Sequence, residues 1–281
     1  MSLIADIFKF IVQYRIHMAV LAGLTTLMPF LATAEGLTPE VLSVGLAMAM
    51  LTLSIHLMNK LADLQQDTLD PRTLPVAPHN IRWVLKVAQA MFVLPIAWLF
   101  LNPPVLVVYI ICGGVMGYLV NYGFNWGGKR HRLKNVFLLK NIVPALYYAL
   151  CISLPYAIMA ADGIVTVFIV HGISAFVFIL LNEILGDFRD VSADKTAGIK
   201  TIPNTIGLWG AKIFGVVLMV AFVGWIFMTV PVSPSLLPVY VIMATIFLCA
   251  NTTRPWWYYQ LMIGLWVVIM ATQVFITIGH A

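Results

Sequence analysis

The chain of 281 residues is 62% hydrophobic and only 10% charged, with a mean hydropathy of +0.97. So little polar surface cannot solvate a water-soluble domain of this size, and a lipid-embedded bundle is the natural reading. The net charge of +5, from 16 Lys and Arg against 11 Asp and Glu, is distributed as membrane orientation requires, so no nucleic acid is expected among the partners.

In chain order, Met1 to Ile16 mixes Asp6, Lys9 and Arg15 into a short amphipathic stretch with no small-residue cleavage site. It reads as a surface-lying segment rather than a cleavable signal peptide. Apolar runs follow at about residues 16–33, 40–58, 83–101, 104–124, 136–160, 163–182, 211–230, 236–251 and 256–278. Each is near the roughly 20 residues needed to cross the hydrocarbon layer. They lack the alternation of barrel strands, so helices are predicted: an all-α, polytopic membrane protein of about nine spans.

Threading these spans alternately places all 16 Lys and Arg on the side of the N-terminus, which the positive-inside rule makes cytoplasmic. The opposite loops, near Glu35, Asn102 to Pro104, Asp162 and Pro231 to Ser235, carry no cation. Cys112, Cys151 and Cys249 fall within predicted spans without CxxC spacing and read as structural thiols.

The cytoplasmic acids concentrate at the ends of two spans, where carboxylates are costly unless used. Asn59, Asp63, Asp67 and Asp70 continue the second span; at ~100° per residue they fall at about 0°, 40°, 80° and 20°, on one face. Glu183, Asp187, Asp190 and Asp194 continue the sixth, at about 0°, 40°, −20° and 20°. Like charges on one stripe repel, so a cation is expected against each. Oxygen ligands at this density suit magnesium, which is held by one or two carboxylates together with substrate phosphate oxygens. A solvated helix end, its acids paired with Arg72, Arg189, Lys195 and Lys200, is the alternative.

The two segments also correspond. Asp63-Leu-Gln-Gln-Asp67 and Asp190-Val-Ser-Ala-Asp194 share DxxxD spacing at an offset of 127 residues, and are followed by Arg72-Thr-Leu-Pro75 and Lys200-Thr-Ile-Pro203 at an offset of 128. An internal repeat is implied, with two related bundles of about four helices. The whole of residues 1–281 is expected to be one transmembrane domain whose acidic segments are 59–75 and 183–203.

These motifs resemble those of the UbiA superfamily of intramembrane prenyltransferases, which carry N-D-x-x-D-x-x-x-D and, later, D-x-x-x-D-x-x-x-G. Asn59, Asp63 and Asp67 match the first pattern, with Lys60 where the family has Asp; Asp190, Asp194 and Gly198 match the second, and Lys200-Thr201-Ile202-Pro203 stands where family members end in T-L-P. The resemblance implies helices ringed about a central cavity under cytoplasmic cap loops, with an isoprenoid diphosphate held through Mg2+. It implies metal ligation by Asn59, Asp63, Asp67, Asp187, Asp190 and Asp194, with Asp63, Asp67, Asp190 and Asp194 carrying the catalysis.

Candidates for binding the diphosphate are Asn59 and the cations near these segments, Arg72, Lys134, Lys140, Lys195 and Lys200. Lys134 ends the basic run Lys129-Arg130-His131-Arg132-Leu133-Lys134, which also serves as positive-inside anchoring. Lys140 lies inside the fifth apolar run, where a charge needs a reason. The expected activity is Mg2+-dependent transfer of an isoprenyl group from a prenyl diphosphate to a lipophilic acceptor, aromatic or lipid, within the bilayer. A membrane terpene cyclase of the same fold is the nearest alternative. A cation carrier is a further one, although carrier sites lie near the midplane and these acids lie at one surface.

Overall fold

The computed structural model describes residues 10–11, 13–31, 37–64, 78–99, 115, 124–126, 129–131, 136–159, 163–196, 198–229 and 237–266. Among the described residues, eight of the nine apolar runs contain helices, and the run at 104–124 lies almost wholly outside them. Two compact units divide the chain, Met1–Leu133 and Lys134–Ala281.

In the first unit, α1 (Ile16–Leu31), α2 (Pro39–Ala62) and α3 (Ile81–Leu99) pack in sequence order. Thr38 caps α2, its side chain accepting from the Val41 N–H at 3.3 Å, and Pro39 occupies the first turn, where a missing N–H costs nothing. Helices α1 and α2 approach closely because their contact is built on small residues: a Cβ on Gly23 would stand 2.8 Å from the Gly45 carbonyl oxygen. Ser54 donates to the Ala88 carbonyl at 2.7 Å, tying α2 to α3 with a polar bond satisfied inside the bundle. The strands β1 (Phe124–Trp126) and β2 (Lys129–His131) pair antiparallel with Phe124 opposite His131. This strand pair, at the expected basic connection, is an addition to the all-helical plan.

The second unit contains α4 (Leu139–Met159), α5 (Ile164–Val167), a π turn over Phe168–Gly172, α6 (Ile173–Thr196), α7 (Ile202–Thr229) and α8 (Leu237–Leu248), then a 3-10 turn over Trp256–Gln260. From Ile164 to Thr196 the chain runs helically, so α4 and α6 lie antiparallel, with the start of α4 beside the end of α6. Gly207, at φ +79, breaks α7 into a short first helix and a long apolar second one. Phe178, Leu181, Ile184, Leu185, Phe188 and Phe247 are fully buried, with Phe178 stacked on Trp266 at 4.2 Å and Phe188 edge-on to Phe247 at 5.7 Å.

The outward faces are apolar. Ile213, Val217 and Val220 recur at helical spacing along α7 and are 62%, 62% and 67% exposed. A stripe of this kind is a liability in water and is what lipid requires. Among the described residues, four helices are long and apolar enough to cross a membrane, Pro39–Ala62, Ile81–Trp98, Leu139–Met159 and Ile202–Met228. With the remaining apolar helices they make the protein an integral membrane protein.

Candidate active site

The acidic stripe of the second unit is built by the way α6 ends. The Ile199 N–H bonds the Asp194 carbonyl at 2.8 Å and the Gly198 N–H bonds that of Lys195 at 3.2 Å, the paired bonds of a Schellman termination. Gly198 supplies the left-handed residue this needs, at φ +70, and Ile199 is buried beneath it. The glycine of D-x-x-x-D-x-x-x-G is therefore the helix stop, one turn beyond the last carboxylate. Thr201 then starts the next helix: its N–H is received by the Asn204 Oδ1 at 2.8 Å, while the Asn204 amide donates to the Ile199 carbonyl at 2.7 Å. Pro203 falls in that first turn, so the basic-Thr-aliphatic-Pro run marks a helix start.

Against this stripe lies the first turn of α4. The Lys140 Nζ is 2.8 Å from Asp187 Oδ1 and 2.6 Å from Asp194 Oδ2, bridging two carboxylates that are both buried. Next to it, Asn141 Nδ2 donates to Asp187 Oδ2 at 2.8 Å. A cation at a helix N-terminus and carboxylates near a helix C-terminus are each unfavourable alone. Setting the two ends side by side makes each helix dipole favour the other's charges. Asp190 is more open and is gripped by its neighbour Arg189 through two bonds of 2.6 and 2.7 Å; the Arg189 guanidinium in turn lies 6.0 Å from the centre of the Tyr259 ring.

Burial pushes the Asp194 carboxyl up to about 6, against the opposing pull of the Lys140 ammonium. Asp187 is raised for the same reason, and Lys140 and Asn141 act against it. The protein's own lysine, Lys140, stands against the stripe. Glu183, on the same helix, is half-buried.

Of the remaining candidates, Asn59 and Asp63 lie in the other unit at the end of α2, one turn apart, with the Asp63 N–H bonded to the Asn59 carbonyl at 3.0 Å. Lys195 and Lys200 are exposed flanking positions. Asp67, Arg72 and Lys134 lie outside the described residues. Sequence reasoning did not single out Asn141. Its signal was a fully buried polar residue beside a lysine in an apolar run, which only becomes informative once its partner is known.

The UbiA prenyltransferase family matches residues 18–276. A digeranylgeranylglyceryl phosphate synthase of Methanoculleus marisnigri is 28% identical over 202 residues, 71% of this chain and 69% of that protein. In three dimensions the chain resembles a UbiA homolog of Aeropyrum pernix K1, with a TM-score of 0.71 at 13% identity over 93% of this chain and 98% of that one. It also resembles a UbiA homolog of Archaeoglobus fulgidus bound to GPP and Mg2+, with a TM-score of 0.64 at 18% identity over 95% of this chain and 99% of that one. A family match spanning nearly the whole chain, on a predominantly helical membrane fold shared with these structures, makes the protein a prenyltransferase belonging to the UbiA family.

Proposed function

We propose that the protein transfers an isoprenyl group from a prenyl diphosphate to a lipophilic acceptor in a magnesium-dependent reaction. The observation that carries this reading is the buried Lys140–Asp187–Asp194 cluster at the end of α6. It supports the reading because its ammonium is suited to a diphosphate and one of its carboxylates, Asp194, is suited to a metal, in a chain of prenyltransferase family. Both acidic segments are needed: Asn59, Asp63 and Asp67 in the first, Asp190 and Asp194 in the second, with Arg72, Lys134, Lys195 and Lys200 contributing positive charge to the substrate's phosphates. In this reading residues 1–281 are one catalytic domain whose halves repeat.

The donor set suits magnesium. Asp190 and Asp194 are four residues apart on one helical face, and no group of three or more His, Cys, Asp or Glu forms a ready metal cage among the described residues. An ion that retains waters and fills its shell from substrate phosphates needs no such cage. When bound, magnesium neutralises charge developing on the leaving diphosphate. The A. fulgidus homolog holding GPP and Mg2+ supports the pairing of that metal with that substrate class. The site is read as cytoplasmic, on the side where the cations gather.

Likeness to a digeranylgeranylglyceryl phosphate synthase favours a prenylated glyceryl phosphate as the first acceptor to try. Purified protein in detergent, given geranylgeranyl diphosphate and magnesium, should release pyrophosphate only when an acceptor is added. Release without acceptor, accompanied by a cyclic hydrocarbon, would identify a cyclase instead. If neither occurs with any prenyl diphosphate, the transferase reading fails for this site.

A further inference from the structure

The carboxylates of the α6 stripe are not equivalent. Asp187 has both oxygens engaged by adjacent residues of α4, Oδ1 by the Lys140 ammonium and Oδ2 by the Asn141 amide, each at 2.8 Å. Its carboxylate is 2% exposed. Asp194 gives Lys140 a single oxygen, at 2.6 Å. Asp190 is 24% exposed and held by the neighbouring Arg189. A metal approaching Asp187 would have to displace two partners, whereas Asp194, equally buried, gives Lys140 one oxygen and Asp190 is the most open of the three.

We infer that Asp187 and Asn141 are positioning residues that cradle Lys140, and that the ammonium so held receives the substrate's diphosphate while Asp190 and Asp194 turn to the metal. This rests on the prenyltransferase reading of the site. An ammonium has three donors; among the described residues Asp187 and Asp194 take two, and the third is the one to meet an incoming phosphate oxygen. Surrendering Asp194 to the metal frees another, while the bond to Asp187 keeps Nζ in place. Without Asp187, a lysine at the positive end of α4 would have only Asp194 as its counter-charge and would lose it when Asp194 turned to the metal. Asn141 prevents the Asp187 carboxylate from rotating, because it occupies the oxygen that Lys140 does not. The turn that presents both side chains begins at Leu138, held at φ +69, with the Asn141 and Ile142 N–H groups bonded to its carbonyl at 3.0 and 2.9 Å. A leucine in the left-handed region is unfavourable, which places local strain next to the residues that do the positioning.

The test separates diphosphate binding from metal dependence. Binding of inorganic pyrophosphate to detergent-purified protein in EDTA is measured by calorimetry, and cleavage of geranylgeranyl diphosphate is followed against magnesium concentration. Lys140→Met and Asp187→Asn should each weaken metal-free pyrophosphate binding by about tenfold, the scale of one charged hydrogen bond lost. Both should raise KM for the prenyl diphosphate, while the magnesium concentration giving half-maximal rate stays as in wild type. Asn141→Leu should act in the same direction, and Lys140→Met/Asp187→Asn should bind pyrophosphate no worse than Lys140→Met alone, because the two residues act as one unit. Asp190→Asn should show the opposite pattern, a raised magnesium requirement. The inference is overturned if Asp187→Asn raises the magnesium requirement as Asp190→Asn does, or if it leaves pyrophosphate binding intact. Should Asp187→Asn alone fail to fold, Lys140→Met/Asp187→Met removes both buried charges; an altered magnesium requirement in that protein would equally overturn the inference. Wild-type protein that neither binds pyrophosphate nor cleaves a prenyl diphosphate would instead sink the underlying transferase reading.

Discussion

Asp194 joins two properties that pull against each other: burial raises its carboxyl to about 6, and the Lys140 ammonium at 2.6 Å favours the charged form. Burial wins. A carboxyl raised in the folded protein holds its proton more tightly than the unfolded chain does, so its contribution to stability is fully present below the ordinary value of 3.8 and is lost as pH rises through about 6. Asp187 is shifted in the same direction. Melting temperatures in detergent and EDTA between about pH 4 and 7 should therefore fall less steeply with rising pH in Asp194→Asn than in wild type. Equal slopes would show that this carboxyl does not titrate in the window. For catalysis, Asp63→Ala and Asp190→Ala are each expected to lower pyrophosphate release by about a hundredfold or more, the scale of losing a group that supports leaving-group charge. Unchanged release in both would remove the acidic segments from the mechanism.

At the level of single elements, the end of α6 explains why its carboxylates and Gly198 keep their spacing. The last carboxylate lies four residues before Gly198, so the helix stops one turn after it, and Thr201 and Pro203 open the next helix at once. Gly198→Val should cost roughly 1–2 kcal/mol, because a Cβ disfavours the left-handed conformation at φ +70. Since nothing lies within 4 Å of a Cβ built there, the loss should appear as lower thermal stability rather than as a packing clash. Gly215 is the reverse case: its backbone is ordinary, but a Cβ would collide with the Phe247 ring. Gly215→Leu should separate α7 from α8, and its defect should be relieved in part by Phe247→Ala, a double-mutant comparison read by melting.

For the molecule as a whole, the lipid-facing stripe of α7 and the four long apolar helices predict that the protein stays with the membrane fraction after alkaline carbonate washing. Recovery in the supernatant would contradict the fold assignment. Orientation is testable at exposed positions at opposite ends of the α5–α6 run. In a cysteine-free background, a membrane-impermeant thiol reagent should reach Lys200→Cys from the cytoplasmic side and Gly163→Cys from the other. The reversed pattern would turn the proposed site to the opposite face.

Much of this protein was legible in the order of its residues. Mean composition demanded a membrane, run lengths located the helices, and a 3.6-residue period gathered Asp187, Asp190 and Asp194 onto one stripe. Family membership was readable from Asp63, Asp190, Asp194 and Gly198 because these obey local spacing rules. What only the tertiary structure decided is which partner each carboxylate has. Lys140 meets Asp194 across 54 residues, and Asn141 meets Asp187 across 46, and the helix that carries Lys140 and Asn141, α4, is apolar beyond its first turn nearly all round. Such a helix carries no polar face along its length to reveal its rotation in the bundle. Lys140 therefore read as a charge inside an apolar run suited to a phosphate or acceptor contact, and packing alone made it the counter-charge of the stripe.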